Sequence, residues 1–446
     1  MSEADYTQGS ILRPLLKFIF PIMLALLLQS LYGAADLLIV GQFSDAANVS
    51  AVSIGSQLML MVTFVITDLS LGTTVLLGQF LGQRREQDCG KVIGSTIILF
   101  AIIGILVTIV MQPLAKPIAM ILNAPTESLP MAVKYTRICC GGAIFIIAYN
   151  VLGATFRGIG NSKMPLITVA IAAVCNVFGD LLLVAVLHMG ASGAAIATVA
   201  AQAISFLISF VIIRRSGLPF TFHLSDIRFR GRIIWNILML GLPIALQDLL
   251  VQISFLIIMA IINQYGVDAS AGIGVGEKIC GFIMLVPSSF SQAMSSFAAQ
   301  NYGAKKMDRA YKALRYAITI SFACGVVIGY FTFFHGVILS RIFSNDPKVC
   351  LAAAQYLKGY AVDCLMTAFL FCFIGFFNGC GKTRFVMIQG IVGAFGVRIP
   401  FSYLFSSIQP PSIVRISLAT PCSTFVQIIL CLSYLYFVFL RKERKE

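Results

Sequence analysis

Apolar runs of helix length follow one another from residue 14 to residue 440, separated by short polar, glycine or proline segments. That succession constrains the fold more than any other feature, since one membrane-crossing helix needs about 20 predominantly apolar residues. The runs fall at 14–40, 49–80, 91–113, 131–156, 163–187 and 191–213, then at 233–263, 269–301, 311–340, 350–378, 384–406 and 412–440. Composition agrees: 59% of the 446 residues are hydrophobic and 11% charged, and the mean hydropathy is +0.92. A soluble domain carries about 25% charged residues. The expected fold class is an all-α membrane protein, with little chain left for an extramembrane catalytic module.

The net charge of +14 would suggest nucleic acid in a soluble protein. Here its distribution points to topology. With both termini cytoplasmic, 23 of the 32 Lys and Arg fall on the inner side, 7 on the outer side, and Lys278 and Arg398 lie within spans. An excess of that size orients membrane helices and gives no reason to expect a nucleic-acid partner. The basic loops also face anionic lipid headgroups. The 12 cysteines include no CxxC pair, and Cys175, Cys324, Cys364, Cys372 and Cys431 sit in apolar runs, so they are read as packing residues. Met1–Ser10 is polar, and the apolar run after it is too long for a signal-peptide core, so it is expected to remain as the first span.

The longest hydrophilic stretch, Arg214 to Arg232, divides the chain into an N-lobe (1–213), a cytoplasmic linker (214–232) and a C-lobe (233–446). The halves repeat at a displacement of about 221. Pro21 pairs with Pro243, Gly55 with Gly276, and Gln79 of GQFLGQRR with Gln300 of AQNYGAKK. Gly158 and Gly160 of FRGIGNSK pair with Gly379 and Gly381 of FNGCGKTR. Because each half has an even number of spans, the repeats are parallel: two six-helix lobes related by a pseudo-two-fold axis along the membrane normal.

Acids inside spans are the functional candidates, since a carboxylate near a helix centre costs about 2.5–3.5 kcal/mol on insertion scales. They are Asp36, Asp68, Asp180, Asp248, Glu277 and Asp363. In CNVFGDLLLV, Asn176 and Asp180 stand at i and i+4 on one helix face, where an amide oxygen and a carboxylate either hold Na⁺, share a proton, or bond to a neighbouring helix. Thr198 in the sixth span adds a hydroxyl. Asp248, Gln252, Glu277 and Asp363 form a possible cation or substrate site in the second lobe. Pro21, inside the first helix, removes a backbone hydrogen bond and predicts a bend. The sequence contains no GxxxxGK[ST], GxSxG or HExxH. ATP-driven transport, serine hydrolysis and zinc chemistry therefore lack their motifs, and no cofactor or transition metal is expected.

Pro21 fifteen residues before Asp36 in YGAADLLIVGQF, GQFLGQRR ending the second span, RGIGNSKMP after the fourth and VRIP in the eleventh resemble the MATE (multidrug and toxic compound extrusion) transporters over essentially the whole chain. The set Asp36, Asn176, Asp180 and Thr198 resembles the N-lobe cation site of the DinF-like branch. The resemblance implies a cation-coupled antiporter, using H⁺ or Na⁺, that exports amphipathic, mostly cationic organic compounds by alternating access. It implies further that Asp36 and Asp180 bind the coupling ion, that Asn176 and Thr198 are neutral ligands, and that the first helix bends at Pro21. Asp248 and Asp363 occupy helices where the NorM-like branch carries acids. The protein is expected in the cytoplasmic membrane as a monomer, with small organic molecules and membrane lipids as its partners. The alternatives are a flippase for lipid-linked substrates, which asks for more intramembrane bases than Lys278 and Arg398, and a membrane-embedded enzyme, which lacks a visible catalytic constellation.

Overall fold

The computed structural model describes residues 6–218, 220–410 and 412–441, and among these every regular element is a helix. The first half contains α1 (Leu12–Phe43), α2 (Ala46–Gly82), α3 (Glu86–Ile121), α4 (Leu129–Gly141), α5 (Ala143–Ile159), α6 (Lys163–Asp180) and α7 (Gly190–Ser216). The second contains α8 (Gly231–Ile262), α9 (Val267–Ile283), α10 (Leu285–Gly303), α11 (Met307–Phe334), α12 (Gly336–Ser340), α13 (Pro347–Gly379), α14 (Thr383–Ile391), α15 (Ile399–Ser407), α16 (Ile413–Ser417) and α17 (Ala419–Tyr434). Eleven of the described helical segments are long and apolar enough to cross a bilayer. The pair α4 and α5, bent by 56° at Gly142, supplies a twelfth. The fourth span is thus broken where the sequence reading drew it straight.

Several helices outrun the hydrocarbon core. At about 1.5 Å per residue, the 37 residues of α2 extend about 55 Å, so its ends stand outside the apolar layer. α1 runs as one helix through Pro21. Among the described residues three segments are π-helix, over Leu181–Val186, Val392–Arg398 and Leu435–Leu440. Two of them abut polar intramembrane residues, Asp180 and Arg398. Such bulges are frequent at functional positions because they re-aim neighbouring side chains.

By contacts the chain forms two compact units. The first comprises Leu16–Ala245, Ala299–Lys305 and the N-terminal segment to Gly9; the second comprises Ser10–Leu15, Leu246–Ala298 and the chain from Lys306. The stretch between the halves packs with the first unit: a Cβ on Gly94 of α3 would run into the Asp226 carbonyl. Within the same unit the motifs that mark the repeat converge. Gln300 Nε2 donates to the Gly158 carbonyl at 3.4 Å. The Tyr6 hydroxyl donates to the Gly160 carbonyl at 3.0 Å, and Asn301 Nδ2 donates to the Tyr6 carbonyl at 3.2 Å. Burial pushes the Tyr6 phenol well above its ordinary pKa.

The repeat is visible as packing inside each unit. A Cβ on Gly55 would overlap the Tyr135 ring, and one on Gly276 would stand 2.7 Å from the Tyr356 ring. The same glycine–tyrosine contact therefore occurs once in each half.

Candidate functional site

Three helices of the first unit each present two polar side chains four residues apart, the spacing that stacks them on one face. α1 offers Tyr32 and Asp36, α6 offers Asn176 and Asp180, and α7 offers Thr198 and Gln202. Asp36, Asn176, Asp180 and Gln202 are buried, and Thr198 is half-buried. The Asp180 carboxyl, the Asn176 amide and the Thr198 hydroxyl flank Asp36. The four residues proposed from the sequence are thus brought together.

The cluster is rich in acceptors and short of donors. The Thr198 hydroxyl lies 3.4 Å from Asp36 Oδ2 and 2.9 Å from the Ala194 carbonyl, and its single proton serves the shorter contact better. Asn176 Nδ2 donates to Thr198 Oγ1 at 3.5 Å. Asp36 Oδ1, both carboxylate oxygens of Asp180, Asn176 Oδ1 and Gln202 Oε1 are buried with no hydrogen-bond donor among the described residues. Neither aspartate forms an ion pair with a described Lys or Arg within 4.0 Å. Buried acceptors without donors are costly. Two adjacent carboxyls with no base beside them are satisfied by a shared proton or by a small hard cation among the oxygens.

Tyr32 and Gln202 escaped the sequence reading. Gln202 Nε2 donates to the Tyr32 hydroxyl at 3.4 Å, which extends the polar face one turn beyond Asp36 and Thr198. The signal was available as the i, i+4 partner of each residue already singled out.

The second-lobe candidates do not share one environment. Asp248 and Gln252 are exposed on α8, and Glu277 is half-buried. Asp363 is buried, with Thr424 and Arg398 beside it. Arg398 donates to Ser254 Oγ at 2.9 Å and lies 4.3 Å over the Phe255 ring. The acid of α13 therefore faces a fixed positive charge within its own unit, unlike Asp36.

A helical membrane protein with two repeated halves and a buried acidic cluster that is donor-poor among the described residues has the architecture of a secondary transporter. The family model MatE matches twice, at residues 21–182 and 243–404, so the chain belongs to the MATE family of multidrug efflux transporters and is not an enzyme. The chain is 28% identical to the "Probable multidrug resistance protein YpnP" of Bacillus subtilis, over 91% of each chain. It is 23% identical to the "Multidrug export protein MepA" of Staphylococcus haemolyticus, over 90% of this chain and 89% of that one. A solved outward-facing MATE family multidrug transporter superposes with a TM-score of 0.92 at 20% identity, covering 100% of this chain and 99% of that one.

The two matches begin at Pro21 and Pro243 and end at Leu182 and Leu404, a displacement of 222 at both limits. The motif pairs within the halves stand 221 apart, so across 221 or 222 residues Asp36 falls on Ile257 or Ile258, Asn176 on Val397 or Arg398, and Asp180 on Phe401 or Ser402. The acidic cluster is not repeated: at neither displacement does an acid stand in those places.

Proposed function

We propose that the protein exports amphipathic, mostly cationic organic compounds in exchange for H⁺ or Na⁺, by alternating access of its two six-helix halves. The observation that carries this reading is the set of buried oxygens, Oδ1 of Asp36 and of Asn176 and both carboxylate oxygens of Asp180, that no donor among the described residues satisfies. Asp36 and Asp180 hold the coupling ion, and Asn176 and Thr198 supply neutral oxygens. The second half, with no acid in the corresponding places, contributes no equivalent cation cluster, and Asp363 acts as the counter-charge to Arg398. The protein works as a monomer in the cytoplasmic membrane with both termini inside.

Coupling needs only that ion and cargo favour different conformations; a ligand with equal affinity for both would shift nothing. Asp36 lies fifteen residues beyond Pro21 on the same helix. A change of bend at Pro21, where the helix lacks a backbone hydrogen bond, would move Asp36 relative to Asp180 and so alter ion affinity. Carboxylates together with Phe and Met side chains suit organic cations, through charge and through polarizable apolar contact.

The test is reconstitution of the wild-type protein in vesicles with ethidium as cargo and a Na⁺ or a pH gradient imposed separately. Uphill ethidium movement driven by at least one gradient is the expected result, and the effective gradient identifies the ion. If correctly inserted protein moves ethidium uphill under neither gradient, cation coupling is wrong.

A further inference from the structure

Arg157, in the last turn of α5, is ordinarily explained as a topology charge or as a base that complements the helix C-terminus. Its conformation fits neither role. A Cβ built on Gly153 would stand 3.3 Å from Arg157 Nη1, so the guanidinium folds back along the helix, away from the C-terminal carbonyls. Among the described residues it makes no ion pair within 4.0 Å, and its Nε is buried without an acceptor. The side chain as a whole is half-buried.

Tyr149, Gly153 and Arg157 are spaced four residues apart on one stripe of α5. The Tyr149 hydroxyl is buried, has no hydrogen-bond partner among the described residues, and feels the guanidinium electrostatically. Gly153 leaves a notch between these two side chains. Outside the local helix backbone and the adjoining residues, Nη1 of Arg157 is the one described heavy atom within 4 Å of where its Cβ would be. The Arg157 fork therefore lies over the notch, and beyond the adjoining residues no other described side chain comes within 4 Å of that point. Ala25, Val169 and Ala172, packed around Tyr149, supply an apolar flank.

We propose that this notch binds an oxyanion group, carboxylate or phosphate, held by the Arg157 fork and capped by the Tyr149 hydroxyl. A guanidinium matches such groups in a bidentate manner that a lysine ammonium does not. The apolar flank favours an anion carried on an alkyl chain. The site is opposite in charge preference to the Asp36 cluster, although Tyr149 also feels Tyr32 of that cluster, and it stands whether or not the cation-coupling reading holds.

The test uses the purified full chain in phosphatidylcholine nanodiscs without any gradient, with hexanoate and inorganic phosphate as probes and chloride at matched ionic strength as the control. Saturable thermal stabilisation by hexanoate or phosphate, but not by chloride, is expected. The half-saturating concentration should rise at least about tenfold in R157Q and in G153V, which fills the notch, and by less in R157K and Y149F. In nanodiscs containing phosphatidylglycerol, a headgroup occupant would stabilise the wild type but not R157Q and would blunt the hexanoate response. A soluble occupant would leave that response unchanged. If R157Q fails to fold, G153V and Y149F carry the comparison. The proposal is overturned if the wild type responds to no probe beyond chloride, or if the folded variants respond as the wild type does.

Discussion

Asp36→Asn is expected to leave the protein folded and inserted while reducing gradient-driven ethidium export from vesicles at least about tenfold, the factor that about 1.4 kcal/mol of lost ion binding produces. The replacement keeps the size of the side chain and removes the negative charge that attracts the ion. It also introduces an amide donor beside Asp180, whose two oxygens have none among the described residues. The cluster then satisfies itself internally and no longer needs a cation. Folding should survive, because hydrogen bonding to a buried carboxylate is relieved rather than broken. A monodisperse Asp36→Asn protein that exports ethidium at the wild-type rate under the same gradient would remove Asp36 from coupling.

Gly72→Val is expected to have the largest effect on stability. α2 and the start of α8 meet backbone to backbone in the first unit: a Cβ on Gly72 would overlap the Ile237 carbonyl oxygen, and a Cβ on Gly241 would overlap that of Leu69. Neither main chain can swing aside as a side chain can, so the two helices must separate along the contact. Overpacking of this kind costs about 3 kcal/mol, read as a lower unfolding temperature and a loss of monodisperse protein. Gly274→Ala is the control, since a Cβ there has no neighbour within 4 Å and should shift stability by less than about 0.5 kcal/mol. Equal stability of the two variants would contradict the close helix crossing.

The spans were legible in the sequence because a bilayer tests each segment by composition and length, with little reference to the rest of the chain. The acidic cluster was legible for a similar reason: Asn176 and Asp180 share a face by spacing alone, and a buried acid in an apolar run has few explanations. Other features depend on information that pattern does not hold. The break at Gly142 lies in the apolar CCGGAIF stretch, where nothing polar interrupts the run. The π-helices beside Asp180 and at Arg398 leave no mark in hydropathy. Asp248 and Gln252 looked like partners for Asp363, yet both are exposed on α8 while Asp363 faces Arg398. Arg157 counted as one inner-side charge among 23, because sequence does not say which way a long side chain folds along its helix. Gly153, which decides that, is a single glycine in an apolar run.

The most direct measurement of coupling through the acidic cluster is simultaneous recording of ethidium flux and of internal Na⁺ and pH in the same vesicles, for the wild type and Asp36→Asn. Coupling through Asp36 predicts that ethidium moving one way is matched by an opposite flux of one of the two cations, and that both fluxes disappear together in the variant. Ethidium moving uphill in the wild type with no counterflux of either cation, or a counterflux that persists in Asp36→Asn, would contradict it.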